Sequence, residues 1–179
     1  KFDAVLNETD MVLLDIKHAD PDEHKKLTGC DPARILAFGD ELARRKIKVV
    51  IRHVVVPGIT DTVEECEALG RLIAPWHNVV GLEMLPYHTM GVVKYEQLGI
   101  PYKLEGVPQM DTARMPELRN AVMAGMKKRR AELKNANVAQ LFLNLHDLFF
   151  ERTDNRDGSH TIPQTYTKFS TTVWYQHFV

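Results

Sequence analysis

The chain has 179 residues, 44% hydrophobic and 26% charged, with a formal net charge of −1. At a soft prior of roughly 150 residues per domain this is one domain plus a remnant, large enough to build a core without disulfides or a structural metal. The near-zero charge gives no argument for nucleic acid or acidic lipid, no apolar run reaches the roughly 18 residues of a membrane span, and no signal peptide is visible. Two distant cysteines, Cys30 and Cys66, exclude a disulfide framework and a self-contained Cys-x-x-Cys metal site. They suit a reducing, cytoplasmic setting. The first residue is Lys1 rather than Met, so a fragment or a processed product is expected.

Residues 11–17 (MVLLDIK) read as a strand, followed by a turn or helix start at Asp20-Pro21-Asp22. Residues 32–45 carry Ile35, Leu36, Phe38, Leu42 and Ala43 at near-helical period. Residues 48–56 (KVVIRHVVV) form a nearly continuous apolar strand closed by Pro57-Gly58. A helix capped by Asp61 or Thr62 follows, with Val63, Cys66, Leu69, Gly70 and Ile73 on its stripe, ending before Pro75. Residues 79–85 (VVGLEML) make a third strand. This alternation is the grammar of an α/β fold built from parallel βα units, and strands this apolar suit helices on both faces.

Residues 89–110 read as a loop, and residues 116–134 as a helix with Pro116 in its first turn. The segment 111–134 has seven Lys/Arg against three Asp/Glu, and its run Lys127-Lys128-Arg129-Arg130 reads as a solvated helix face. The last 44 residues hold eight of the chain's fourteen aromatics. They comprise an amphipathic piece at 138–150, a polar turn-rich run at 153–160 and a strand-like end.

Asp15 and Lys17, two apart on a strand, point the same way at its C-terminal end, where parallel β/α folds bind ligands. The Asp can hold a cation or a hydroxyl and the Lys a carboxylate, or equally the two form a simple ion pair. Arg52 lies in the most apolar strand and needs a carboxylate or phosphate partner: Asp15, Glu83, or a bound ligand. His53 should face the opposite side and pack under a helix. His88 follows the third strand directly, and alternation puts it on one face with Met84 and Pro86. A lone histidine is more often structural, but three strand ends that each deliver polar residues favour a small-molecule pocket. The Pro57-Gly58 and Thr60-Asp61 loop reads as a turn plus a cap, and both cysteines as inert.

The Asp15-Ile16-Lys17 strand end, residues 54–61 (VVVPGITD), residues 85–88 (LPYH) through Gly91, and residues 102–107 (YKLEGV) occur in this order and spacing. Together, over about three-quarters of the chain, they resemble the C-terminal half of the pyruvate formate-lyase activating enzymes. These are glycyl-radical activases of the radical S-adenosylmethionine superfamily. The resemblance implies a partial (β/α)6 TIM-like barrel, with residues 1–135 supplying its C-terminal units and residues 136–179 an unassigned, aromatic-rich tail. It implies that Asp15, Ile16, Lys17 and His88 line the S-adenosylmethionine pocket, that Asp15 also helps hold a monovalent cation, and that Arg52 lies near ligand or substrate peptide. The family reaction is reductive cleavage of S-adenosylmethionine by a 4Fe-4S cluster; the 5′-deoxyadenosyl radical then takes a hydrogen from a glycine of pyruvate formate-lyase. An electron donor such as flavodoxin is implied as a second partner.

The family's Cys-x3-Cys-x2-Cys cluster motif and its glycine-rich motif are absent from this sequence, and neither Cys30 nor Cys66 replaces them. The chain alone is therefore expected to be inactive and to hold no iron–sulfur ligands, in an oxidoreductase of anaerobic metabolism. A half-barrel also leaves a strand edge open. The tail has no counterpart in the family; a fused segment or, preferably, an out-of-frame coding end would account for it. The rival reading is a clusterless half-barrel that binds a ligand or partner without radical chemistry.

Overall fold

The structure is a computed structural model that describes residues 2–151, with side chains for residues 3–145. The expected turn-rich run at 153–160 and the strand-like end lie outside the described residues. Two compact units divide the chain, Lys1–Leu133 and Lys134–Val179.

The first unit follows the strand–helix alternation. Strand β1 (Met11–Asp15) leads into α2 (Pro21–Thr28), and α3 (Ala33–Arg45) leads into β2 (Lys48–Val55). Helix α4 (Val63–Ile73) then precedes β3 (Val79–Pro86). The three strands form one parallel sheet in the order β1-β2-β3. Asp20 caps α2 by accepting the N–H groups of Asp22 and Glu23, with Pro21 in the first turn where its missing donor costs nothing. Of the two expected caps for α4, Thr62 is the one used.

Three elements were not read from the sequence as they stand. A short helix, α1 (Phe2–Asn7), precedes β1. Helix α5 (Val92–Leu98) occupies the expected loop, bounded by Gly91 and by Gly99 in the left-handed region at φ 63°. Helix α6 runs from Met115 to Glu151 instead of ending at 134, because no glycine or proline interrupts the sequence between Gly125 and Glu151. Beyond residue 133 it exposes Val138, Leu141, Phe142 and Leu143.

The core contains Leu14, Val49, Ile51 and Val55 from the strands and Ile16 just past β1, packed with Leu42, Leu69, Ile73, Leu118 and Val122 from α3, α4 and α6. Fully burying each such side chain contributes about 1.5–3 kcal/mol. Two glycines let α4 and α6 meet backbone to backbone. A Cβ on Gly70 would lie 2.0 Å from the Val122 carbonyl oxygen, and one on Gly125 would lie 2.2 Å from that of Glu67. Arg130, expected on a solvated face, instead donates to the Ala74 and Trp76 carbonyls beyond α4.

The expectation of strands covered on both faces is corrected. Alternate residues of β2 are buried and half-exposed, and β1 leaves Met11 52% and Leu13 51% exposed. The apolar runs therefore mark one helix-covered face and one apolar face left open. Between Val49 and Val50 the β2–β3 register shifts by one residue: Val49 pairs with Val79, but Val50 pairs with Gly81, so exposed Val80 is the extra residue of a bulge.

Candidate functional site

Register places the charged side chains of the three strands in one row. Asp15 of β1 pairs with Arg52 of β2, and Arg52 pairs with Glu83 of β3. In a parallel sheet paired residues share a face, so all three stand on the open one. Lys17 joins them: its Nζ donates to Asp15 Oδ1 at 3.2 Å, with both side chains half-exposed. Arg52 is 35% exposed rather than enclosed, with its Nε 3.7 Å from Glu83 Oε2. That is within ion-pair reach but too long for a hydrogen bond, and this Nε is buried without a hydrogen-bond partner.

Ile16 belongs to the opposite face. Its side chain is 2% exposed within the core. Both of its backbone groups are engaged: its N–H donates to the Arg52 carbonyl at 3.0 Å, and its carbonyl accepts from His53 Nδ1 at 2.7 Å. His53 is fully buried on the covered side, where alternation places it, and burial lowers its pKa from 6.5.

The expected alternation of Met84, Pro86 and His88 is corrected. Met84 pairs with His53 toward the covered face, and β3 ends at Pro86. The chain then turns into a single 3-10 turn at Thr89–Gly91, preceded by His88 with its side chain exposed and making no capping hydrogen bond. Tyr87 is the buried residue instead, its hydroxyl 2.8 Å from that of Tyr102. Burial, together with this hydrogen bond, pushes Tyr102 up to about 12. Among the described residues, no hydrogen bond or ion pair joins His88 to Asp15, Lys17 or Arg52. The structure thus assembles Asp15, Lys17, Arg52 and Glu83 in one place and leaves His88 beyond the end of β3.

Sequence reasoning missed the polar cluster beneath Lys17. His18 is buried, with its Nδ1 3.2 Å from Glu65 Oε1 of α4, and the same oxygen accepts the Ala19 N–H at 2.8 Å. Burial raises the Glu65 pKa. The only sequence signal was the neighbouring Asp-Ile-Lys-His run; nothing in spacing links it to a residue 46 positions on.

Two clefts of about 610 and 530 Å³ flank the strand ends. The larger is lined by Tyr87, Tyr95 and Tyr102, and the smaller by His18, Glu23, Lys26 and Lys103. Neither includes Asp15, Lys17, Arg52 or His88. The charged row is the better candidate, because it brings together Asp15, Lys17 and Arg52, three of the residues the sequence singles out, on one face of the sheet.

The Pro57-Gly58 loop is structural: Asp61 accepts the Gly58 N–H and pairs with Arg114, while buried Thr60 bonds both Val54 and Val56. The cysteines do not fit an iron–sulfur cluster. Cys30 is exposed, Cys66 is buried with its thiol pushed up to about 11, and no group of three metal-ligating side chains occurs among the described residues. Asp15, Lys17 and Arg52 do fit S-adenosylmethionine in kind, offering an anion to its cationic centres and cations to its carboxylate. No helix among the described residues is long and apolar enough to cross a membrane.

Comparison with known proteins agrees with the motif resemblance. The chain is 48% identical over 116 residues to the pyruvate formate-lyase-activating enzyme of Staphylococcus epidermidis, covering 65% of this chain and 46% of that protein. It is 49% identical over 107 residues to that of Streptococcus mutans (60% and 41%), and 41% identical over 117 residues to that of Clostridium pasteurianum (65% and 49%). The chain therefore spans about half the length of the curated relatives it matches. No family model matches. A solved domain of a pyruvate-formate lyase-activating enzyme from Bacteroides vulgatus shares the fold, with TM-score 0.55 at 14% identity over 69% of this chain and 67% of that one. The fold class is thus α/β, three parallel βα units of a partial TIM-like barrel.

Proposed function

We propose that this chain is the ligand-binding half of a glycyl-radical activase whose protein substrate is pyruvate formate-lyase. The observation that carries the reading is the row Asp15–Arg52–Glu83, joined by Lys17, in the C-terminal halves of the strands of a chain 41–49% identical over 107–117 residues to enzymes of that name. In this reading Lys17 and Arg52 hold the carboxylate of S-adenosylmethionine, Asp15 faces its cationic end, and His88 closes the pocket from the third strand end. Bound S-adenosylmethionine would supply the hydrogen-abstracting chemistry. This chain's part is to bind, orient and help exclude water. The cysteines present do not fit the cluster, so no step through it is assigned to this chain. A monovalent cation at Asp15 would compete with the Lys17 ammonium for the same carboxylate. The setting is cytoplasmic, and an electron donor of the flavodoxin kind would serve the whole protein.

An NMR titration with S-adenosylmethionine into the millimolar range, about −4 kcal/mol of binding, tests the reading. Shifts confined to the amides around Lys17, Arg52 and His88 support it; absence of localised shifts overturns it. Micromolar binding without iron would instead favour a binding module without radical chemistry. Sequencing the coding DNA upstream of Lys1 adds an independent arm: an in-frame Cys-x3-Cys-x2-Cys supports the activase, and its absence the binding module.

A further inference from the structure

We propose that Glu65 and His53 are positioning residues that hold residues 16–19 so that Lys17 is presented on the open face. This rests on the functional reading above.

Local rules would send Glu65 elsewhere. Thr62 at the N-cap of α4 with Glu65 three residues on is the pattern of a capping box, in which the carboxylate returns to the N-cap N–H. Here only one half is made: Thr62 Oγ1 accepts the Glu65 N–H at 3.1 Å. The carboxylate leaves its helix and crosses to the β1–α2 connection, where Oε1 accepts the Ala19 N–H at 2.8 Å and lies 3.2 Å from His18 Nδ1. His18 Nδ1 also accepts the Asp20 N–H at 3.0 Å. The Glu65 side chain is 13% exposed, and burial works against its charge. A carboxylate that forgoes its own helix cap for a desolvated position 46 residues away breaks a local rule, as functional sites do.

His53 grips the same segment from β2. Its Nδ1–H donates to the Ile16 carbonyl at 2.7 Å, while its Nε2 is buried with no partner. An unsatisfied buried nitrogen is costly, and the bond to Ile16 is what the ring provides in return. The backbone is thus bonded by side chains at residue 16 and at residue 19. Lys17 lies between these anchors, its side chain directed to Asp15.

The test is amide hydrogen exchange and the same titration on the chain and its E65A, E65Q and H53F variants. Glu65→Gln keeps a side-chain carbonyl for Ala19, whereas Glu65→Ala does not. In E65A the Ala19 amide should exchange about tenfold faster, the loss expected for one buried charge-assisted bond. The Lys17 and His18 amide resonances should shift in E65A and H53F, E65Q should restore protection at Ala19, and β3 amides should keep their wild-type rates. S-adenosylmethionine-dependent shifts at Lys17 should weaken in E65A and H53F and return in E65Q. Unchanged Ala19 exchange in E65A, uniform loss of protection across the sheet, or failure of E65Q to rescue overturns the positioning role. A wild-type chain that takes no S-adenosylmethionine overturns the functional reading instead, and the exchange rates still decide whether Glu65 and His53 place Lys17.

Discussion

Arg52 and Glu83 face each other across β2 and β3 with Nε and Oε2 3.7 Å apart, held by charge without a hydrogen bond between those atoms. The guanidinium is therefore restrained but not consumed. Arg52→Gln should abolish most ligand-dependent shifts at the strand ends, while half-exposure limits its effect on stability to about 1 kcal/mol or less. Urea unfolding run beside the titration separates the two. A variant that binds as wild type removes Arg52 from the site.

Lys17→Ala removes the ammonium nearest Asp15. A hydrogen bond to a charged group contributes about 1.5–3 kcal/mol, so S-adenosylmethionine affinity should fall about 10- to 100-fold. His88→Ala should cost less, because His88 stands exposed beyond the end of β3 and, among the described residues, makes no bond to the row. If both substitutions leave the activity of the whole protein at wild-type level, the assignment of this face is wrong.

His53 gives the fold a dependence on pH. Its folded pKa lies below the ordinary 6.5, so the unfolded chain takes up a proton that the folded chain refuses. The stability from its neutral ring is complete above about pH 6.5 and declines as pH falls toward the lowered value. Glu65, raised from 4.5 by burial, has the opposite sign: its contribution is present at low pH and lost as pH rises through its folded value. Urea unfolding of wild type and H53F at successive pH values isolates the histidine. The wild type should lose stability more steeply below pH 6.5; parallel curves would show that His53 does not titrate across folding.

Gly70 and Gly125 set the α4–α6 contact. Gly70→Ala or Gly125→Ala puts a methyl onto a carbonyl oxygen in the opposite helix and should destabilise by about 1–3 kcal/mol or more. Chemical unfolding measures this directly. Helix propensity alone predicts a gain of about 1 kcal/mol for the same substitutions, so the sign of the change decides.

The three strands and α3 and α4 were legible because their apolar runs and breakers agree locally. The span of α6 was harder, since no residue marks the boundary at 134, and α5 was hidden in a stretch whose Gly, Pro and aromatic residues suggested a loop. Asp15 and Lys17 could be read as neighbours from two-residue alternation. Glu83 could be named only as one of several partners for Arg52, because its place in the row depends on a register shift. The bond from Glu65 to Ala19 depends on how α4 docks, which no local pattern records.

That register shift has a consequence for which errors the sheet tolerates. Val80 is exposed and is the extra residue between two pairings, Val49 with Val79 and Val50 with Gly81. Excising it would join Val79 to Gly81, which would still meet Val50, so Arg52 would still meet Glu83. Keeping Val80 but pairing it with Val50 would instead set Arg52 beside Leu82 and Glu83 beside buried His53. Everything downstream on the strand would then turn inside out, driving a carboxylate into the helix layer. The acidic end of the row thus depends on one valine staying out of the ladder, and a slip that recruits it does more harm than its loss.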